Sequence, residues 1–119
     1  MRYELRRRLE IVGRALATLG EHDNAAAIAR RTHDGTLPDW IQGEHGAAVW
    51  SEIEGAACVA RRFSTHLPLA LRAAAVALER AFREAEALMA DDPKAGLAWR
   101  DERAIATVAA PSAELRRAA

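Results

Sequence analysis

The clearest pattern in the chain lies in residues 68–90, PLALRAAAVALERAFREAEALMA. Apolar residues recur there at steps of four and three, at Leu71, Ala75, Leu78, Phe82, Ala85 and Met89. Such steps return to one side of a helix that has 3.6 residues per turn, so this ladder predicts a buried helical face. The opposite charges of Glu79/Arg83 and Arg80/Glu84 stand one turn apart and favour the same helix.

Two further ladders keep the same step elsewhere in the chain. One comprises Leu5, Leu9, Val12, Leu16 and Leu19, and the other comprises Val49, Ile53, Ala56, Ala60 and Phe63. Three apolar faces in one short chain leave water only by packing against each other. The sequence therefore predicts an all-α fold, a single-domain helical bundle of about four to five helices over residues 1–110. A short C-terminal tail is predicted at 111–119.

Glycine and proline divide the chain into its predicted segments. The predicted helices cover residues 2–19, 25–33, 45–63, 68–90 and 94–109, with a short helical turn at 38–42. Gly20 is expected to end the first helix in a left-handed conformation, and Asp23 or Asn24 to cap the second. The run from Ile105 to Val108 suits either the last helix or a short strand.

The predicted core is rich in alanine. The chain has 29 alanines and only 24 residues of leucine, isoleucine, valine or phenylalanine. Alanine is the strongest helix former, but it buries little apolar area. The core should therefore be thin, with helices that approach closely. Because a second copy of the chain often completes a thin core, we hypothesise a homodimer.

Composition excludes several classes of protein. A single cysteine, Cys58, permits no internal disulfide, and its mid-helix position predicts a half-buried packing residue. The basic N-terminus is not followed by an apolar stretch, so we expect no secretion signal. No apolar run approaches the length of a membrane span. A cytoplasmic protein that binds no membrane is the expectation.

Charge is arranged in blocks although the net charge is zero. Residues 34–60 contain five acids and no lysine or arginine, whereas residues 61–83 contain five arginines and one acid. Two interpretations are open. In the first, antiparallel neighbours compensate each other's charge within the bundle. Alternatively, residues 34–54 form an acidic surface that meets a basic protein partner.

Two tryptophans fall in the acidic block, and tryptophan is enriched among binding hot spots. Trp50 lies beside two ladder residues and is expected in the core, and Trp99 is expected to cap the bundle. Trp40 stands on the short turn, where burial is less assured. The predicted partner-binding residues are Asp39, Trp40, Glu44 and Glu52.

No motif with a chemical mechanism is present. The histidines, His22, His33, His45 and His66, include no pair at a spacing of three or four, so no two share a helical metal face. The sequence lacks a phosphate-binding glycine loop and a serine nucleophile elbow. We therefore predict no catalytic residue, no metal and no cofactor.

These observations favour a small non-enzymatic protein-binding module that occludes or assembles a protein partner, in an inhibitor, antitoxin or immunity-type role. The alternative is a DNA-binding transcriptional regulator with a helix-turn-helix-like unit at 24–42. Nucleic acid is the weaker expectation, because Asp39 and Glu44 would repel phosphate from that unit. A third hypothesis is a small helical enzyme with its site in a dimer cleft.

Overall fold

The computed structural model describes residues 1–91, which form five α-helices and one short 3-10 turn. The helices are α1 (Tyr3–Thr18), α2 (His22–Asp34), α3 (Leu37–Trp40), α4 (Glu44–Arg62) and α5 (Leu69–Ala90), and the 3-10 turn is Ser64–His66. No strand occurs in this part of the chain, so the all-α prediction is confirmed. The predictions for 94–109, for the alternative strand at 105–108, for Trp99 and for the tail at 111–119 lie outside the described residues.

The first two helices form an antiparallel pair. Near the start of α1, the Arg6 guanidinium donates to the backbone oxygen of Thr32, near the end of α2, at 2.8 Å. Further along α1, Gly13 lies beside Ala25, near the start of α2. The chain reverses at Gly20, whose φ of 88° is the left-handed conformation that the sequence predicted.

The last two long helices, α4 and α5, form a second antiparallel pair. The indole Nε1 of Trp50 donates to Glu86 at 3.3 Å, and Arg61 at the other end of α4 pairs with Glu79 at 3.8 Å. On its other side α5 packs against α1, which gives the order α2, α1, α5, α4 across the bundle. The short α3 connects the two outer helices. No helix among residues 1–91 has the length and apolarity needed to cross a membrane.

One core runs through the bundle and is built from the predicted ladders. Its buried members are Leu5, Leu9, Val12, Ala15, Leu16, Ala25, Ile28, Leu37, Ile41, Trp50, Ile53, Ala57, Leu78, Ala81, Phe82, Ala85 and Met89. The ladder of α4 is rotated by one position, so that Trp50, Ile53 and Ala57 face inward. Phe63, predicted in that ladder, is 49% exposed because α4 ends one residue before it.

The predicted cap of α2 is wrong. The helix begins at His22, earlier than expected, and neither Asp23 nor Asn24 occupies the cap position. Asp23 instead lies in the first turn, where its negative charge complements the helix dipole. At the other end Gly35 adopts a φ of 73° and closes α2 in the left-handed conformation.

Oppositely charged side chains pair across α4 and α5. Glu54 accepts from Arg83 at 3.1 Å, and Arg61 pairs with Glu79 at 3.8 Å. The pair Glu79/Arg83 predicted within α5 is therefore wrong, since each of its members reaches across to α4. Glu54 of the acidic block thus meets Arg83 of the basic block, whereas Arg61 and Glu79 both belong to residues 61–83. Each exposed pair contributes only about 0–1 kcal/mol to stability.

Candidate functional site

Three of the four predicted partner-binding residues lie at the corner where α3 meets α4. Asp39 and Glu44 are exposed there, and Trp40 is partly buried against the core. The guanidinium of Arg31 lies 5.2 Å from the centroid of the indole ring. The ring of His45 lies edge-on to the indole, with the two ring centroids 6.1 Å apart. Neighbours from α2 and α4 therefore hold the indole, which is only partly available to a partner.

The charge of this corner is mixed. The acidic block of residues 34–60 contains no lysine or arginine, but α2 brings Arg31 onto the face of Trp40. The corner thus combines the carboxylates of Asp39 and Glu44 with a guanidinium from outside the block. Sequence reasoning missed Arg31 because its role depends on how α2 packs against α3.

Glu52 does not belong to the corner. It follows Glu44 by eight residues in α4, a rise of about 12 Å along the helix axis. There it lines a separate groove of about 390 Å³ between the start of α2 and the end of α4. Exposed Val59 and Phe63 line the same groove, and Glu21 adds a second carboxylate.

Cys58 is exposed on α4, so the prediction of a half-buried packing residue is wrong. The reason is the rotation of α4, which buries the neighbouring Ala57 in its place. The nearest polar contact is the guanidinium of Arg83, whose Nη2 lies 3.7 Å from Sγ and whose Nη1 pairs with Glu54. Within residues 1–91 no three histidine, cysteine, aspartate or glutamate side chains converge as metal ligands would.

A larger groove of about 800 Å³ runs between α1 and α5, and we call it the α1–α5 groove. Its charged rim comprises Arg7, Arg8, Arg72, Arg80 and Glu84. Its apolar floor comprises Ile11, Leu69, Ala73, Val76, Ala77 and Ala81. None of these residues belongs to the site that the sequence predicted.

The floor of the α1–α5 groove contains the largest exposed apolar side chains of α5. Leu69 is 79% exposed and Val76 is 42% exposed, although both belong to a helix whose opposite side is fully buried. With Ala73 between them, they form a second ladder at steps of four and three. An apolar stripe of this kind that faces solvent and is bordered by polar residues is typical of an interaction surface.

Glu84 is the carboxylate of the rim, and two arginines share it. Arg8 crosses from α1 to bond it, and Arg80 pairs with it within α5 at 3.1 Å. The hydrogen bond from Arg8 lowers the pKa of Glu84 below its ordinary value of 4.5, and Arg80 acts in the same direction against the opposing effect of desolvation. Glu84 therefore ties α1 to α5 across the groove in its ionised form.

Glu84→Gln should lower stability at neutral pH and have less effect in acid. Because the folded state lowers the pKa of Glu84, the ion pair contributes its full stability above about pH 4.5 and loses it as pH falls through the lower folded value. Urea midpoints across this range, at constant ionic strength, should show the difference between wild type and variant shrinking toward low pH. The control is Glu10→Gln, since Glu10 is exposed and forms no ion pair within residues 1–91. A Glu84→Gln deficit that is independent of pH would contradict the assignment.

A third groove, of about 580 Å³, lies between α1 and α2. Small residues form most of its wall, namely Gly13, Ala17, Ala25, Ala26 and Ala29. Thr32 also lines it, and its Oγ1 is buried without a hydrogen-bond partner among residues 1–91. The charges of this groove are mixed, with Arg6, Arg14 and Glu10 on its rim.

The sequence did contain a signal for the α1–α5 groove. Leu69, Ala73 and Val76 repeat the step of the buried ladder on the opposite side of the helix, so α5 has two apolar faces. Which face is left open depends on where α1 and α4 pack, and the apolar pattern of a single helix does not predict that packing.

No protein family model, curated protein or solved structure is significantly similar to this chain.

Proposed function

We propose that this protein is a small, non-enzymatic, cytoplasmic module that binds a protein partner and acts by occluding or assembling it. The observation that supports this proposal best is the α1–α5 groove, with Leu69 79% exposed and Val76 42% exposed on its floor. Covering such side chains is favourable by about 25 cal/mol for each Å² removed from water. A protein partner gains this free energy by packing onto them.

The corner of Asp39, Trp40 and Glu44 is the second candidate surface, and it would suit a partner with a basic surface. Two features make it weaker than the groove. The indole of Trp40 is already packed against the core, and Arg31 brings positive charge to the corner. We also keep the proposal that a second copy of the chain completes the thin core. Light scattering of the purified protein tests it, because the molar mass distinguishes a dimer from a monomer.

The geometry favours the alternative DNA-binding function less. In the unit at 24–42 the second helix is α3, which has only four residues. Leu37 is buried and Trp40 is half-buried, which leaves Asp39 as the exposed charged side chain of α3. A recognition helix presents several side chains to base edges, and an aspartate opposes the neighbouring phosphates.

Site-specific photocrosslinking tests the proposal in the source cell. A photoreactive phenylalanine derivative is placed at Ala73 in the groove and, as a matched control, at Ala48, an exposed alanine of α4 outside the three grooves. We expect discrete protein adducts from position 73 that are weak or absent at position 48. Adducts to nucleic acid alone, or the same adducts at both positions, would contradict the proposed function.

A further inference from the structure

We propose that the α1–α5 groove binds an acidic, amphipathic α-helix of a partner protein. This inference rests on the proposed function and specifies the chemistry of the partner. Such a helix would lay an apolar stripe on the floor of the groove and direct carboxylates at the rim.

Charge is the first argument for an acidic occupant. The rim has four guanidinium groups and one carboxylate, a net charge of +3. Glu84 is shared by Arg8 and Arg80. Arg7 donates to the hydroxyl of Tyr3 at 3.5 Å, and Arg72 donates to the backbone oxygen of Leu67 at 2.7 Å. Among residues 1–91 neither of these two arginines has a carboxylate partner.

The shape of the floor is the second argument, and it favours a helix. From Leu69 to Arg80 the groove follows α5 for twelve residues, a rise of about 16 Å, which is close to three turns of a partner helix. The side chains between these ends include Ala73 and Ala77, which allow a second helix to approach closely. Apolar side chains at the steps of a helical stripe would then meet Leu69 and Val76 in turn.

Other occupants fit less well. Nucleic acid would satisfy the arginines but gain nothing from the exposed apolar side chains of Leu69 and Val76. A second copy that paired groove with groove by a two-fold axis would bring arginines opposite arginines. Residues 92–119 of the chain contain four acids and five basic residues, so they offer no net negative charge.

The test measures binding of two designed peptides to the full chain by fluorescence anisotropy. Both have about 18 residues and leucines at the i, i+3, i+4, i+7 steps. One has glutamates flanking the leucine stripe, and the other has lysines at the same positions. We expect the acidic peptide to bind at least about tenfold more tightly than the basic one, and to lose affinity as salt is raised from about 0.05 M to 0.5 M.

Paired variants locate the binding. Arg7→Glu with Arg72→Glu should weaken the acidic peptide at least about tenfold, whereas the control Arg14→Glu with Arg30→Glu has the same net charge and should have little effect. For the floor, Val76→Ser should weaken binding, and Val59→Ser, on α4 at a site that is 59% exposed against 42% for Val76, should not. Circular dichroism of each variant establishes that it is folded, since all six sites are exposed.

Three results would overturn the inference. The first is binding of the basic peptide as tight as that of the acidic one. The second is displacement of the acidic peptide by duplex DNA. The third is a dimeric wild type that Val76→Ser converts to a monomer. If photocrosslinking gives protein adducts at position 73 and the peptide test gives one of these three results, only the assignment of an acidic helix as the occupant is rejected. Absence of protein adducts there would reject the α1–α5 groove as the partner-binding surface, and with it the observation on which the proposed function chiefly rests.

Discussion

Trp50→Ala should lower the free energy of unfolding by about 3–5 kcal/mol, a large part of the stability of a small domain. The side chain of Trp50 is fully buried, and its ring stacks on Phe82 with centroids 4.6 Å apart. Its Nε1 donates to Glu86, so that the indole joins α4 to α5 by both packing and a hydrogen bond. Truncation removes these contacts and leaves a cavity that the thin, alanine-rich surroundings fill poorly. Urea denaturation followed by circular dichroism measures the loss.

Two variants separate the causes of this effect. Trp50→Phe keeps an aromatic ring against Phe82 but removes the N–H donor, and we expect a loss of about 1–2 kcal/mol. Trp40→Ala removes an indole that is partly exposed, and it should cost clearly less than Trp50→Ala. Equal losses for the two tryptophans would mean that the corner of α3 and α4 is as much a part of the core as Trp50 is.

Much of the fold is predictable from the sequence because the spacing of apolar residues indicates which side of each helix is buried. The ladders of α1 and α5 predict their buried faces, and Gly20 predicts the end of α1 to within two residues. The ladder of α4 is less accurate because several alanines on neighbouring positions define two overlapping stripes. Tertiary contacts with α5 select the stripe of Trp50, Ile53 and Ala57.

The candidate site is less predictable because it depends on how helices are placed against each other. Asp39 and Glu44 are exposed as expected, but Glu52 lies in another groove two turns along α4. The α1–α5 groove joins arginines of α1 to arginines of α5 that stand more than 60 residues later in the chain. The sequence alone favours a solvated helix face for the arginines of α1, and it is the packing of α5 that gives them a shared apolar floor.

The second large effect is expected at Gly46, where α3 and α4 meet. A Cβ atom at this position would lie 2.5 Å from the carbonyl carbon of Trp40 and closer still to its oxygen. Because these are backbone atoms, no side-chain rotation relieves the overlap, and α3 has to move away from α4. Gly46→Ala should therefore lower the free energy of unfolding by about 2–3 kcal/mol.

Gly55→Ala is the matched control, since both glycines belong to α4 and the substitution is the same. No heavy atom of the described residues would lie within 4 Å of a Cβ at Gly55 apart from its own helix neighbourhood. Alanine should stabilise the helix there by about 0.5–1 kcal/mol, because glycine loses more backbone entropy on folding. The two variants thus have opposite signs in one urea titration. A stabilising Gly46→Ala would show that α3 does not contact α4 as closely as the structure has it, and that the corner of Asp39, Trp40 and Glu44 is differently arranged.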